Sequence, residues 1–398
     1  MTTIGRQTPG TDLVDRAVVC GVGESVYGRR LGRSAIDLAA DAIANATLDA
    51  GLTKDDIDGM VVTFGSPTGA DADTLAFALG LDLRAYFQTW AHGRFTASAI
   101  QWAAMAVAAG MADVVACLAS VSFTGVKRLR VGGRGDREGA REGGGGHGED
   151  PVYGMTSPGA GAALMAQKYF ARYGATSEDL ASVPIAFRRH ATLNPRAMHQ
   201  EPLTRAEYLA SRYVAEPLHI FDYCQVNDGA TCILVTRVDR VADLAQPPVY
   251  LGGMQPLPAG RQEFIWAHPG FGTAQQSEFD WAPGTQPVYA QAGVGPADID
   301  ALFTYDAFSP LVWLALERWG FCGLGEAKDF TQEGRIELGG QLPMNTNGGL
   351  LSEGHVMAWN HQAEIVRQLR GHCGQRQIEE ADVIQWANVY GDSLIYHR

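Results

Sequence analysis

The chain of 398 residues can hold two domains, or one large duplicated one, each with its own core. With 46% hydrophobic and 19% charged residues it has the make-up of an ordinary soluble globule. A net charge of −13 and a pI of about 5.2 argue against a nucleic-acid or anionic-membrane surface, and no apolar run approaches the ~20 residues of a spanning helix. The segment Met1 to Asp15 lacks the apolar centre of a signal peptide, and Ser393 to Arg398 carries no anchor or retention signal, so a cytoplasmic location is expected. Six cysteines, Cys20, Cys117, Cys224, Cys232, Cys322 and Cys373, are scattered without metal-type spacing; reduced, mostly buried thiols and no bound metal are expected.

In chain order, Ala17 to Gly23 is a short apolar run ending in glycines, the pattern of a buried strand and loop. Gly21, Gly23 and Gly28 miss the spacing of a dinucleotide-binding turn. Ser34 with Asp37 three residues on predicts a capped helix whose apolar stripe is Ile36, Ala39, Ala40, Ile43 and Thr47. Gly59 to Phe64 comes next as a strand, and Arg84 to Trp90 as another that would leave an apolar edge.

Two segments recur. Ala50-Gly-Leu-Thr-Lys-Asp-Asp-Ile-Asp58 matches Ala292-Gly-Val-Gly-Pro-Ala-Asp-Ile-Asp300, and each runs into an apolar strand. Ala112-Asp-Val-Val-Ala-Cys117 matches Ala381-Asp-Val-Ile-Gln-Trp386, each after a long helical segment, Phe95 to Ala109 and His355 to Arg370. Two pairs in the same order imply a duplicated α/β unit with buried, largely parallel sheets. The halves are placed at 1–245 and 246–398, with an insertion at about 121–221 in the first. That insertion holds a glycine-rich stretch, 132–148, read as a mobile loop; Lys127, Arg128, Arg130 and Arg134 beside it read as a solvated basic run. Helices are predicted at Ala162 to Tyr173, Arg205 to Tyr213 and Pro310 to Trp319, and strands at Asp228 to Val235 and Ala301 to Thr304.

The most informative stretch is Asn345-Thr-Asn-Gly-Gly-Leu-Leu-Ser-Glu-Gly-His355. Gly348, Gly349 and Gly354 allow close backbone approach. His355 is predicted in the first turn of a helix, where the positive dipole end disfavours imidazolium and leaves a neutral acid/base. His361, six residues on, is expected at the surface.

Together, Gly21-Val-Gly23, Ala50-Gly-Leu52, Asp56-Ile-Asp58, Asp228-Gly-Ala230 and above all Asn345 to His355 resemble the thiolase superfamily, in its lipid-transfer or sterol-carrier branch. The resemblance covers nearly the whole chain and implies an α/β fold of five layers, α-β-α-β-α, made by two similar halves. Its departures are specific. The family's nucleophilic cysteine falls at about Gly93, in Ala91-His-Gly-Arg-Phe-Thr-Ala-Ser98. Its second cysteine falls at Asn388 or a neighbour in Ala387-Asn-Val-Tyr-Gly-Asp392. The histidine is kept as Gly354-His355, and the Asn-Glu-Ala-Phe or His-Asp-x-Phe tetrad reads Tyr305-Asp306-Ala307-Phe308.

Without a thiolate there is no acyl-enzyme. The resemblance then points to the steroid side-chain aldolases, which cleave a β-hydroxyacyl-CoA by retro-aldol chemistry, with Tyr305 and His355 as the acid/base pair. It places Asp306, Asn388, Tyr390, His92, Gly93, Gly348 and Gly349 around the substrate. Coenzyme A enters as part of that substrate, and no other cofactor is expected. The partners implied are a second copy, joined through the strand Arg84 to Trp90, and a small zinc-ribbon and OB-fold subunit giving a heterotetramer. The alternatives are a silent thiolase-fold subunit binding lipid or acyl-CoA, and a cysteine-independent acyltransferase.

Overall fold

The computed structural model describes residues 13–64, 69–90, 92–123, 157–258 and 286–398. The glycine-rich stretch and the four basic residues beside it lie outside them. The first half runs β1 (Ala17–Glu24), α1 (Ala35–Ala50), β2 (Gly59–Phe64), α2 (Ala72–Leu79), β3 (Ala85–Trp90), α3 (Thr96–Ala108) and β4 (Val114–Ser122). The insertion contributes α4 (Pro158–Tyr173), α5 (Ser177–Leu180), α6 (Ser182–Thr192), α7 (Arg205–Ala210), β5 (Tyr213–Ala215) and β6 (Leu218–His219) before β7 (Asp228–Arg237) re-enters the sheet. Then come β8 (Val249–Gln255), α8 (Pro287–Ala292), β9 (Ala301–Phe303), α9 (Ser309–Arg318), α10 (Ala327–Phe330), α11 (Gly349–Ser352), α12 (Trp359–Leu369), β10 (Val383–Ala387) and β11 (Ser393–His397).

Among the described residues the large sheet is ordered β3-β2-β4-β7-β1-β8-β11-β10-β9. Outward from the β1/β8 joint, β1-β7-β4-β2 on one side repeats as β8-β11-β10-β9 on the other, with the same parallel and antiparallel sense at each step. The duplication read from the two sequence pairs is thus the architecture of the sheet. The expectation of largely parallel strands is corrected: β2–β3, β2–β4 and β9–β10 are parallel, while β4–β7, β7–β1, β1–β8, β8–β11 and β11–β10 are antiparallel. A strand covered on both faces reads as a continuous apolar run in either sense, so composition could not separate the two.

The matched segments do the same work in each half. One carboxylate oxygen of Asp58 accepts from the main-chain N–H groups of Asp113 and Val114, at 2.8 and 2.9 Å. One of Asp300 accepts from Asp382 and Val383, both at 2.8 Å. Each aspartate caps the entry to the neighbouring parallel strand and fixes its register.

Alternation along the strands feeds two cores. Met60, Val62, Val114, Ala116, Leu118, Cys232 and Leu234 face one way, into a cluster with Leu38, Ala42 and Ala46 of α1. Val61, Val115, Cys117, Ala119, Ile233 and Val235 face the other, into the larger core containing α3 and α12. The capping box of Ser34 and Asp37 forms as expected. The buried face of α1 is Leu38, Ala39, Ala42, Ile43, Ala46, Thr47 and Ala50, so Ile36 and Ala40 sit at its margin. Gly21 and Gly23 serve this packing: a Cβ on Gly23 would stand 2.2 Å from the main chain of Ala42 and Ala46. They seat α1 on β1, which accounts for them without a nucleotide.

Candidate active site

Tyr305 leaves the end of β9 and is pinned there by Asn345, whose side-chain amide takes a strand's place. Its Oδ1 accepts from the Thr304 N–H at 2.9 Å and its Nδ2 donates to the Thr304 carbonyl at 3.0 Å. His190 of α6 holds the same loop: its Nε2 accepts from the Leu338 N–H at 2.9 Å and its Nδ1 lies 3.3 Å from the Asn345 carbonyl. Burial pulls the His190 imidazole down to about 4, so it is neutral at physiological pH.

Asp306 is fully buried and meets protein groups at both oxygens. Its Oδ1 accepts from Leu350 N–H and from His361 Nε2, at 3.1 and 2.8 Å, and its Oδ2 from Leu351 N–H at 3.4 Å. Gly349, at φ +67°, makes room: a Cβ there would lie 2.1 Å from Asp306 Oδ2. Gly348, at φ +105°, packs on Ala191 in the same manner. Asp306, Gly348 and Gly349 thus hold the Asn345–His355 loop in place.

His361 is the clearest correction. Expected at the surface, it is fully buried, with Asn347 Nδ2 donating to its Nδ1 at 3.0 Å and its Nε2 on Asp306. The expectation fails because α12 is enclosed on every side and carries polar residues inward. Asn360, Gln362, Glu364 and Gln368 are buried as well. Glu353 lies alongside, accepting from Asn194 and Asn360 at 2.7 and 2.6 Å, and burial together with Glu24 pushes its carboxyl up to about 8.

His355 is not in a helix. Met357 and Ala358 have φ of 52° and 65°, so α12 begins only at Trp359 and the helix dipole does not act as predicted. Such backbone persists only where its surroundings enforce it. Here the first half does so: Thr96 Oγ1 donates to the Met357 carbonyl at 2.6 Å, and Trp359 Nε1 donates to Thr63 Oγ1 at 2.8 Å. The His355 N–H donates to Asn227 Oδ1 at 2.6 Å, and Phe123 stacks on the ring at 6.3 Å. The imidazole is neutral as predicted, but through burial, which pulls it down to about 4 against a smaller opposing effect of Asp306.

The side chains converge on one point. Tyr305 Oη lies 3.4 Å from His355 Nε2, and Cys224 Sγ lies 3.7 Å from His355 Nδ1. Burial holds the Tyr305 hydroxyl well above the usual phenol range and raises the Cys224 thiol to about 12, so both stay protonated. His92 closes the far side, its ring 5.3 Å from that of Tyr305 and 5.9 Å from that of Tyr390; its Nδ1 accepts from the Arg94 N–H at 3.2 Å. Gly93 lies against the Tyr305 ring. Asn388 is fully buried and shapes the turn below, accepting from the Tyr390 N–H at 2.7 Å through Oδ1 and from Trp319 Nε1 at 2.8 Å through its carbonyl. Cys224 escaped the sequence reading because it lies in an irregular segment with no periodicity, and Asn227 because a backbone clamp leaves no spacing signal.

The arrangement brings a neutral imidazole, a phenol and a protonated thiol together, with a glycine and an asparagine at the positions where the superfamily's thiols were expected. Among the described residues no group of three or more His, Cys, Asp or Glu side chains is placed to hold a metal. A repeated half-sheet with this site at the strand ends defines a thiolase-fold enzyme.

Comparison with known proteins narrows the class. A family model described as thiolase C-terminal domain-like matches residues 279–391. The chain is 36% identical over 361 residues to the steroid side-chain-cleaving aldolase of Thermomonospora curvata, covering 89% of this chain and 90% of that one. It is 38% identical over 368 residues to the 17-hydroxy-3-oxo-4-pregnene-20-carboxyl-CoA lyase of Mycobacterium tuberculosis, covering 90% and 92%. The solved structure of an Ltp2-ChsH2(DUF35) aldolase superposes with a TM-score of 0.85 at 32% identity, covering 97% of this chain and 98% of that one. The chain belongs to the thiolase superfamily, in its branch of aldolases, and is a carbon–carbon lyase.

Proposed function

We propose that the chain cleaves the side chain of a steroid- or bile-acid-type β-hydroxyacyl-CoA by a retro-aldol reaction, giving a ketone and a shorter acyl-CoA, with Tyr305 and His355 as the acid/base pair. The β-hydroxyl gives up its proton, the bond between the α and β carbons breaks as the C=O of the ketone forms, and its electron pair becomes the thioester enolate. Protonation of the α carbon completes the products, so atoms and charge balance without an outside reactant. One base, one acid and a donor for the enolate oxygen suffice. The observation that carries this reading is the contact of Tyr305 Oη with His355 Nε2 at 3.4 Å, beside Gly93 at the expected nucleophile position. His92 and Tyr390, facing Tyr305, are the side chains proposed to meet the substrate. Coenzyme A enters as part of it.

The active assembly is proposed as two copies of this chain with two small zinc-ribbon and OB-fold subunits, in the cytoplasm. Support for the homodimer is β3, which among the described residues pairs only with β2 and leaves Tyr86 and Phe87 exposed on an open edge. Support for the second subunit is the two-component name of the superposed aldolase. The halves 1–245 and 246–398 are proposed as its structural units. No described helix is long and apolar enough to cross a membrane. The test is incubation of the chain, with and without such a subunit, with a β-hydroxyacyl-CoA bearing a steroid side chain. Ketone and shorter acyl-CoA should appear in equal amounts. No cleavage in either mixture would overturn the reading.

A further inference from the structure

We infer that Gly93 is a positioning residue for Tyr305: the missing side chain at 93 is what admits the phenol ring to the site, so a side chain on residue 93 and the acid/base tyrosine exclude one another. This deepens the retro-aldol reading and rests on it for the role given to Tyr305.

The exclusion is steric. A Cβ built on Gly93 would lie 2.1, 2.2 and 2.8 Å from Cε2, Cδ2 and Cζ of Tyr305, all far inside van der Waals contact. No other side chain is among the three nearest atoms. The backbone does not demand glycine, because Gly93 is not among the residues with positive φ and sits at the first position of the turn that leads into α3. An alanine would suit that conformation, and in a helix start it is ordinarily the more favourable residue. What stands in its way is the Tyr305 ring.

The ring has no room to yield. Tyr305 is 4% exposed, with His92 at 5.3 Å on one side and His355 at 6.2 Å on another, and its main chain is clamped by Asn345. A displaced ring would also move Oη away from His355 Nε2, the contact on which the chemistry depends. The main-chain N–H of Gly93 works in the same sense, since it favours ionisation of the Tyr305 hydroxyl against the larger opposing effect of burial. Ionisable groups face this tyrosine from several elements: His92 before α3, Tyr390 after β10, Cys224 before β7, Asp306 next in the chain, and His355 before α12. The three atoms nearest the space over Gly93 all belong to Tyr305. The loss of a nucleophile at this position and the gain of the tyrosine are one structural change.

The test is a cycle of Gly93→Ala and Tyr305→Ala read first by urea unfolding. Gly93→Ala should lower the unfolding midpoint in the wild-type background and leave it unchanged or raised in Tyr305→Ala, where the ring is gone. A Gly93→Ala protein too unstable to purify but recovered by Tyr305→Ala would count the same way. Equal destabilisation in both backgrounds would overturn the inference whether or not the protein proves to be an aldolase. The second arm is turnover of a β-hydroxyacyl-CoA. Gly93→Ala should reduce kcat about 10²-fold with KM changed by only a few fold, the usual effect of displacing a catalytic group by an ångström. The double variant Gly93→Ala/Tyr305→Phe should be no slower than Tyr305→Phe. Wild-type kcat in Gly93→Ala would sink the proposal.

Discussion

The two halves of the sheet share a scaffold and differ in the residues at their strand ends. Asp58 and Asp300 make the same pair of main-chain hydrogen bonds, and β2–β4 and β9–β10 are parallel in both. The residues placed at the ends of the equivalent strands differ. After β9 the chain places Tyr305 and, through Asn345, the loop that carries His355. At the start of α3 the first half places Thr96, which donates to the Met357 carbonyl. Within β2 it places Thr63, which accepts from the Trp359 indole, so the two hydroxyls hold the chain beyond His355. The second half carries Tyr305 and His355, and the first half holds the turn beyond His355 while adding His92 and Cys224 beside them. Duplication fixes backbone requirements, which cannot drift without losing a strand, while residues at strand ends are free to diverge.

The comparison breaks most sharply at Tyr305. Tyr305→Phe removes one hydroxyl and keeps the ring, so single-turnover cleavage of a β-hydroxyacyl-CoA should fall by about 10²–10⁴, with the melting temperature preserved. His355→Ala should lose a similar factor. A rate for Tyr305→Phe within a few fold of wild type would remove this residue from the mechanism.

The scaffold side is tested by Asp58→Ala and Asp300→Ala. Each strips two strand-entry N–H groups of a charged acceptor, and a loss of about 2–4 kcal/mol is expected from urea midpoints. If the repeat is energetically as well as geometrically symmetric, the two losses agree within about 1 kcal/mol; Asp58 also pairs with Arg84, which biases that side upward. A negligible effect in either half would break the equivalence.

A pH experiment sharpens the role of the insertion. His190 has a folded-state pKa of about 4, below the ordinary value of 6.5, so the unfolded chain binds the proton first as pH falls. Its stabilisation is fully present above pH 6.5 and is lost as pH falls through about 4. Over that window the drop is on the order of 3 kcal/mol. His190→Gln, compared with wild type by urea unfolding at pH 7.5, 5.5 and 4.5, should show a shallower acid dependence. Parallel profiles would show that His190 does not anchor the loop in this way.

Smaller effects are expected at the edges of the comparison. Phe87→Lys places a charge on the open edge of β3 and should shift the chain from dimer to monomer by light scattering at micromolar concentration. A dimer unchanged by it would place the interface elsewhere. Gly93→Cys should produce no measurable thiolysis by coenzyme A, because the Tyr305 ring occupies the space the sulfur needs.

By itself the sequence determined the α/β class, the duplication, the capping of α1, and the pairing of Tyr305 with His355. Each rests on local spacing or on a motif whose residues act where they stand. Tertiary structure decided what depends on neighbours distant in the chain. Strand sense was hidden because both kinds of buried strand read as apolar runs. His361 was misplaced because a helix enclosed on all sides turns polar residues inward, where Asp306 and Asn347 receive this one. Asp306, Asn388, Gly348 and Gly349 sit within the recognised motifs, but the backbone contacts they make became visible only in the folded chain. His355 is neutral through burial, because two left-handed residues delay α12 and remove the dipole predicted to do it. Contacts between residues 93 and 305, or 96 and 357, leave no trace in spacing; they exist only once the sheet brings the two halves together.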